Sequence, residues 1–154
     1  MNRRDAIKLS AIAALGVVAS TASAACPSQK GSCATDSDDA KKNRNAMTPK
    51  DPENLTSAEL KHTPLITLGE KDANGYTDVK ITVGQGGVIH PSVKNHWIDF
   101  IKLHADDKFV GISKLEAEIS RGAAAFSVKL DGVKTLTATA GCNVHGIWSS
   151  SLKA

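Results

Sequence analysis

For residues 58–154 the sequence predicts an all-β fold of about seven short strands. Two observations carry that expectation. Apolar and polar residues alternate with a period of two through most of this part, and Asn-Gly or Asp-Gly pairs stand between the alternating runs. No stretch after residue 58 keeps a helical period over ten residues, although Ser113 to Arg121 has room for a short turn. A folded part of this length suits one β-sandwich of about 100 residues.

Read in order, the chain opens with what looks like a removable address. Residues 1–24 carry Arg3-Arg4 and Lys8, then an apolar run from Leu9 to Val18, then Ala22-Ser23-Ala24 as a small-residue cleavage signal. The run is too short and alanine-rich for a membrane span. Its paired arginines resemble a twin-arginine export signal, with Asn2 and Ala6 departing from that pattern. An ordinary secretory signal is the alternative. Either implies an exported protein, and a bacterial periplasm is the expected compartment. Ser23 stands where a lipoprotein signal wants Leu, which argues against lipid at Cys26.

Residues 25–57 are rich in Ser, Asp, Lys, Asn and Pro and read as a flexible linker. Cys26 and Cys33 are close enough in sequence to close a small loop, which would leave Cys142 as an odd thiol. Removing the first 24 residues takes away Arg3, Arg4, Lys8 and Asp5, so the formal charge falls from +3 to +1. No basic surface of the size nucleic acid needs remains.

The predicted strands follow in turn. Leu65-Ile66-Thr67-Leu68 is joined through Asn74-Gly75 to the run Val79, Ile81, Val83, a hairpin signal. Asn95 to Leu103, Phe109 to Ile112, Phe126 to Leu130 and Leu136 to Ala140 come next, with Asp131-Gly132 read as a second hairpin turn between the last two. Gly84-Gln85-Gly86-Gly87 lacks the Lys-Ser/Thr and helix of a phosphate loop, so it reads as a turn.

All five histidines fall in this part: His62, His90, His96, His104 and His145. A histidine taken alone is most often a surface or satisfied core residue. Four of these have better reasons to be ligands. His145 follows Cys142 with two residues between, a spacing that lets a tight turn aim both at one ion. His90 precedes Pro91 in a loop leading to His96, and His62 stands just before the first strand. His104, about 26 Å further along the same strand at about 3.3 Å per residue, is out of reach of a shared ion. Four imidazoles and one thiolate exceed a closed zinc site and hold too little sulfur for an iron–sulfur cluster. They suit an ion that keeps one position open, such as iron.

The order His62, His90-Pro91-x4-His96, Cys142-x2-His145-Gly146-x-Trp148 resembles the iron domain of superoxide reductases, the neelaredoxin and desulfoferrodoxin group. The resemblance implies an immunoglobulin-like seven-stranded sandwich with one mononuclear iron. His62, His90, His96 and His145 would form the equatorial plane, with Cys142 axial and the position opposite the sulfur open. It implies one-electron reduction of superoxide to hydrogen peroxide, fed by a separate rubredoxin-like or cytochrome-like donor. Lys61 matches the family's lysine beside the site, where its charge would attract an anion. The family's glutamate directly before that lysine is replaced by Leu60, and Glu59 stands one place further away. Cys26 and Cys33 cannot build the extra four-cysteine centre of desulfoferrodoxins. The sequence leaves association into a homo-oligomer open. A cupredoxin-like copper electron-transfer protein is the alternative reading, although no methionine follows His145 to serve as its weak axial ligand.

Overall fold

In the computed structural model, residues 42–154 are described. The predicted signal and most of the predicted linker, with Cys26 and Cys33, lie outside the described residues. The elements are β1 (Ala46–Met47), α1 (Ser57–His62), β2 (Pro64–Lys71), β3 (Thr77–Val83), β4 (Ile98–Ala105), β5 (Lys108–Lys114), β6 (Ala123–Val128), β7 (Thr135–Cys142) and β8 (Gly146–Lys153). They form a five-stranded sheet ordered β1-β8-β7-β4-β5 and a three-stranded sheet ordered β2-β3-β6. The two sheets make the expected β-sandwich: seven strands of six to eight residues and one, β1, of two.

Period-two patterning explains the core. In β3 the buried positions are Thr77, Val79, Ile81 and Val83, and the lysine and acid between them turn outward. Those aliphatic residues join Ile98, Ile101, Leu103, Leu136, Ala138 and Ala140 in one apolar cluster. Each large aliphatic side chain so buried contributes about 1.5–3 kcal/mol. The Asn74-Gly75 hairpin forms as expected. Gly75 takes φ +85°, and Asp72 gathers the turn by accepting N–H bonds from Asn74 at 2.9 Å and Tyr76 at 2.8 Å.

Four expectations change. Asp131-Gly132 does not close a hairpin, because β6 and β7 belong to different sheets; this turn carries the chain across the sandwich. The strand expected from Asn95 begins at Ile98, since Val93 and His96 pair with each other in a tight turn first. Strand β8 lies outside the predicted set: Gly146-Ile147-Trp148 followed by three serines has little apolar alternation. It is held instead by its antiparallel register with β7, from Thr135↔Lys153 to Cys142↔Gly146. Finally, residues 43–50 of the presumed linker are engaged with the domain. The Asn43 N–H donates to the Asn143 carbonyl at 2.8 Å, the Ile147 N–H donates to the Asn45 carbonyl at 2.8 Å, and β1 pairs in parallel with Ile147 and Trp148. Backbone bonding there needs no large apolar side chain, so composition under-reads it.

Candidate metal centre

Each candidate ligand arrives by a different local device. Cys142 continues the inward parity of Leu136, Ala138 and Ala140 along β7, so the alternation that builds the core also delivers the sulfur to the inner face, fully buried. The chain then turns through Asn143, Val144 and His145 and re-enters β8 at Gly146, which takes φ +88°. A three-residue hairpin loop commonly closes with such a left-handed glycine. A Cβ on Gly146 would also stand 2.6 Å from the Asn45 carbonyl oxygen. The turn brings the His145 N–H to 3.4 Å from Cys142 Sγ and His145 Nδ1 to 3.6 Å.

His62 is the last residue of α1, a six-residue helix too short to show a period in the sequence. What starts it is a cap. Thr56 accepts the Glu59 N–H at 3.3 Å, while the Glu59 carboxylate accepts the Thr56 N–H at 2.9 Å and its hydroxyl at 2.7 Å. This is a reciprocal capping box. The other Glu59 oxygen accepts the Lys50 N–H at 2.9 Å. Those bonds, first that from Lys50 and then that from the Thr56 hydroxyl, hold the carboxyl down to about 2. Both oxygens of Glu59 are thus committed to building the helix. In this structure the Glu59 carboxylate helps to fix α1, the helix that ends at His62.

His90 comes from the glycine-rich loop. Gly84 takes φ +101°, and a Cβ there would lie 2.4 Å from the Val88 carbonyl oxygen and 2.9 Å from the His90 nitrogen. The turn reading of that loop holds, and the loop also braces the helix: the Gln85 N–H donates to the Leu60 carbonyl at 3.1 Å. His96 closes the small turn that starts at Val93.

The four rings meet. His62 and His90 have centroids 4.9 Å apart, and the pairs His90–His96, His96–His145 and His145–His62 are each 4.7 Å apart. Neighbouring rings stand 67–76° to one another, and the His62–His96 diagonal is 6.1 Å. His62 Nε2 lies 3.0 Å from His145 Nδ1, which lies 3.1 Å from His96 Nε2. At about 2.1 Å from a shared ion, neighbouring corners of a square fall about 3.0 Å apart, so these spacings fit imidazoles around one metal. One donor atom from each of His62, His96, Cys142 and His145 lies within 4.8 Å of the others. His90 closes the remaining side by its ring contacts. Its Nε2 is buried and has no hydrogen-bond partner among the described residues, an orphan that an ion would satisfy. His104 stays apart near the other end of β4, its ring against Phe109 with centroids 5.6 Å apart.

The outer atoms are set for the same task. His62 Nδ1 donates to the Ala58 carbonyl at 2.6 Å and His90 Nδ1 to the Pro91 carbonyl at 2.7 Å, which turns both Nε2 lone pairs inward. Burial is the first cause that keeps His62, His90 and His96 below the ordinary imidazole range, and it takes His90 down to about 3. The Lys61 ammonium adds to this at both His62 and His96, so its charge is felt on two sides of the ring. Burial raises Cys142, against the N–H groups of His145 and Val144. Neutral imidazoles at pH 7 are ready to bind a cation, which in turn would hold the thiolate. Cys142 lies inside and His145 is exposed, so the assembly has a protein side and a solvent side.

The chain is similar to known proteins in sequence and in fold. The sequence profile of the desulfoferrodoxin family matches residues 54–151. A desulfoferrodoxin from Nitratidesulfovibrio vulgaris is 41% identical over 93 residues, covering 60% of this chain and 64% of its own. The chain therefore spans less than two thirds of that relative's length. Among solved structures, the superoxide reductase (1Fe-SOR) from Giardia intestinalis superposes with a TM-score of 0.53 at 28% identity, over 61% of this chain and 98% of that one. The superoxide reductase (neelaredoxin) from Ignicoccus hospitalis gives 0.54 at 26% identity, over 70% and 92%. With the profile spanning most of the folded part and a four-residue His/Cys cluster at its centre, the chain belongs to the desulfoferrodoxin family.

Proposed function

We propose that this protein is a superoxide reductase that transfers one electron to superoxide at a mononuclear iron held by His62, His90, His96, His145 and Cys142. The observation that carries the reading is the square of four imidazoles with the buried Cys142 sulfur beside it and an exposed edge at His145. When bound, the iron supplies the electron, and with two protons the product is hydrogen peroxide. The remaining work falls to the chain. His62, His90 and His96 stay neutral, His62 and His90 hold their Nε2 lone pairs inward, and Cys142 as a thiolate would donate density to the ion. The Lys61 charge beside His62 and His96 draws an anion to the solvent side and favours the more negative product.

Support comes from the family match and from relatives named as superoxide reductases. A separate electron-donor protein would supply the electron for each turnover, and the signal-like first 24 residues make an exported, periplasmic site of action part of the same proposal. The decisive experiment is metal analysis of anaerobically purified protein together with its reaction with pulsed superoxide. One iron per chain and peroxide formed without dioxygen from dismutation is the expected result. Stoichiometric copper without iron would overturn it in favour of an electron-transfer copper protein.

A further inference from the structure

Two of the four histidines are fixed at the ring, and a third is tied at its backbone to the Trp148 side chain. His62 and His90 donate from Nδ1 to nearby carbonyls, and the His145 carbonyl accepts the Trp148 indole N–H at 3.0 Å. His96 is different. Among the described residues its Nδ1 has no hydrogen-bond partner, although a metal-binding histidine ordinarily donates that proton to a neighbour. It also sits on a turn that bonds chiefly to itself, the Val93 N–H to the His96 carbonyl at 3.0 Å and the His96 N–H to the Val93 carbonyl at 2.9 Å. Where His96 stands therefore depends on what anchors the backbone on either side of it.

That anchor is Asn143, the residue after Cys142. Its Oδ1 accepts the Trp97 N–H at 2.9 Å, and its Nδ2 donates to the Asn95 carbonyl at 3.0 Å. One amide side chain thus grips both sequence neighbours of His96, and the chemistry of those partners fixes which way round the amide lies. The backbone joins in: the Asn143 N–H donates to the Trp97 carbonyl at 3.2 Å, and its own carbonyl accepts the Asn43 N–H at 2.8 Å. Asn143 is 9% exposed, so water competes little for these bonds.

We propose that Asn143 is a positioning residue that sets the place of His96 relative to the Cys142 thiolate. It links the turn that leads into β4 with the end of β7, and it acts through backbone rather than by touching the ion. The inference rests on the reading that these side chains hold one metal, but not on the identity of the reaction.

The test uses cobalt(II) added to metal-free protein, read by affinity and by the thiolate-to-cobalt charge-transfer band. Asn143→Ala removes both side-chain bonds, and Asn143→Leu removes them while keeping the volume. Ile101→Val, a core truncation, serves as the control for general loss of stability. The expected result is a loss of affinity of about 10- to 100-fold in both Asn143 variants, with a shifted band, and wild-type binding in the control. Asn143→Leu binding within about twofold of wild type with an unmoved band would overturn the proposal. If wild type fails to react with superoxide while cobalt affinity still depends on Asn143, the proposed function falls and this inference stands. Full superoxide reactivity in wild type, with cobalt binding indifferent to Asn143→Leu, would leave the function standing and remove the positioning role.

Discussion

Trp148 lies over His62 with ring centroids 5.4 Å apart and planes 20° from parallel, and its indole N–H donates to the His145 carbonyl at 3.0 Å. One side chain therefore restrains two candidate ligands, one from the first helix and one from the last hairpin. Trp148→Phe keeps much of the stacked face and loses the bond to His145. The expected outcome is a folded protein with weakened metal retention, measured by metal content after dialysis against a mild chelator. Trp148→Ala removes the buried ring as well and is expected to cost about 3–5 kcal/mol in denaturant unfolding.

The capping box makes a second prediction. Thr56→Ala is expected to lower stability by about 1 kcal/mol and, because the helix it starts ends at His62, to reduce metal affinity too. Glu59 adds a pH signature. Its folded carboxyl sits at about 2, below its ordinary 4.5, so its contribution is fully present above about 4.5 and is lost as pH falls towards 2. Glu59→Gln should flatten the acid limb of stability over that window, followed by circular dichroism.

Metal-free protein should also lose stability between neutral pH and about pH 3, for a separate reason. His62, His90 and His96 are held below 6.5 by burial, so the unfolded chain takes up protons in this range that the folded one resists. The stability is intact above about 6.5 and declines below it, with His90 still contributing down to about 3. A lower thermal midpoint at about pH 5 than at about pH 7.5 is expected, and His90→Phe should make that difference smaller. Equal midpoints would contradict the burial of neutral imidazoles.

Lys61→Ala should slow the reaction with superoxide and make it less sensitive to ionic strength, since the ammonium whose field reaches His62 and His96 is gone. Stopped-flow rates at two salt concentrations check this. An unchanged rate would leave Lys61 without a role in the reaction.

Gly84→Ala should be among the most damaging single-methyl changes in the chain. The added carbon meets two backbone atoms, at 2.4 and 2.9 Å, in a left-handed conformation, and relief would move His90. Loss of metal binding together with reduced thermal stability is the expected pair of results.

How much of this the sequence reveals depends on where the information sits. Period-two alternation in Val79-Ile81-Val83 and Leu136-Ala138-Ala140 marks the core strands, and the same parity carries on to Cys142, so the thiolate's inward direction is legible too. The spacing of Cys142 and His145 shows a shared turn. The serine-rich β8 and the polar 43–50 strap are not legible, because both are held by backbone bonds that leave no side-chain pattern. The six-residue helix is equally silent in its periodicity, though Thr56 with Glu59 three places later is a capping signal. Nearness to Lys61 in sequence makes Glu59 a candidate for the site. In the structure its carboxylate caps the helix that ends at His62.

The parallel pairing of β1 with β8 has a consequence for how the molecule is made. The first described strand waits for the last one, and the ring of His62 waits for that of His145, 83 residues later. Contacts of such long sequence separation form late. During synthesis His62, His90 and His96 emerge first, without the Cys142 sulfur and without the strap closed over the final hairpin. The metal centre is therefore completed only as the whole domain closes, and a polypeptide ending before Cys142 has no protein side on which to hold the ion.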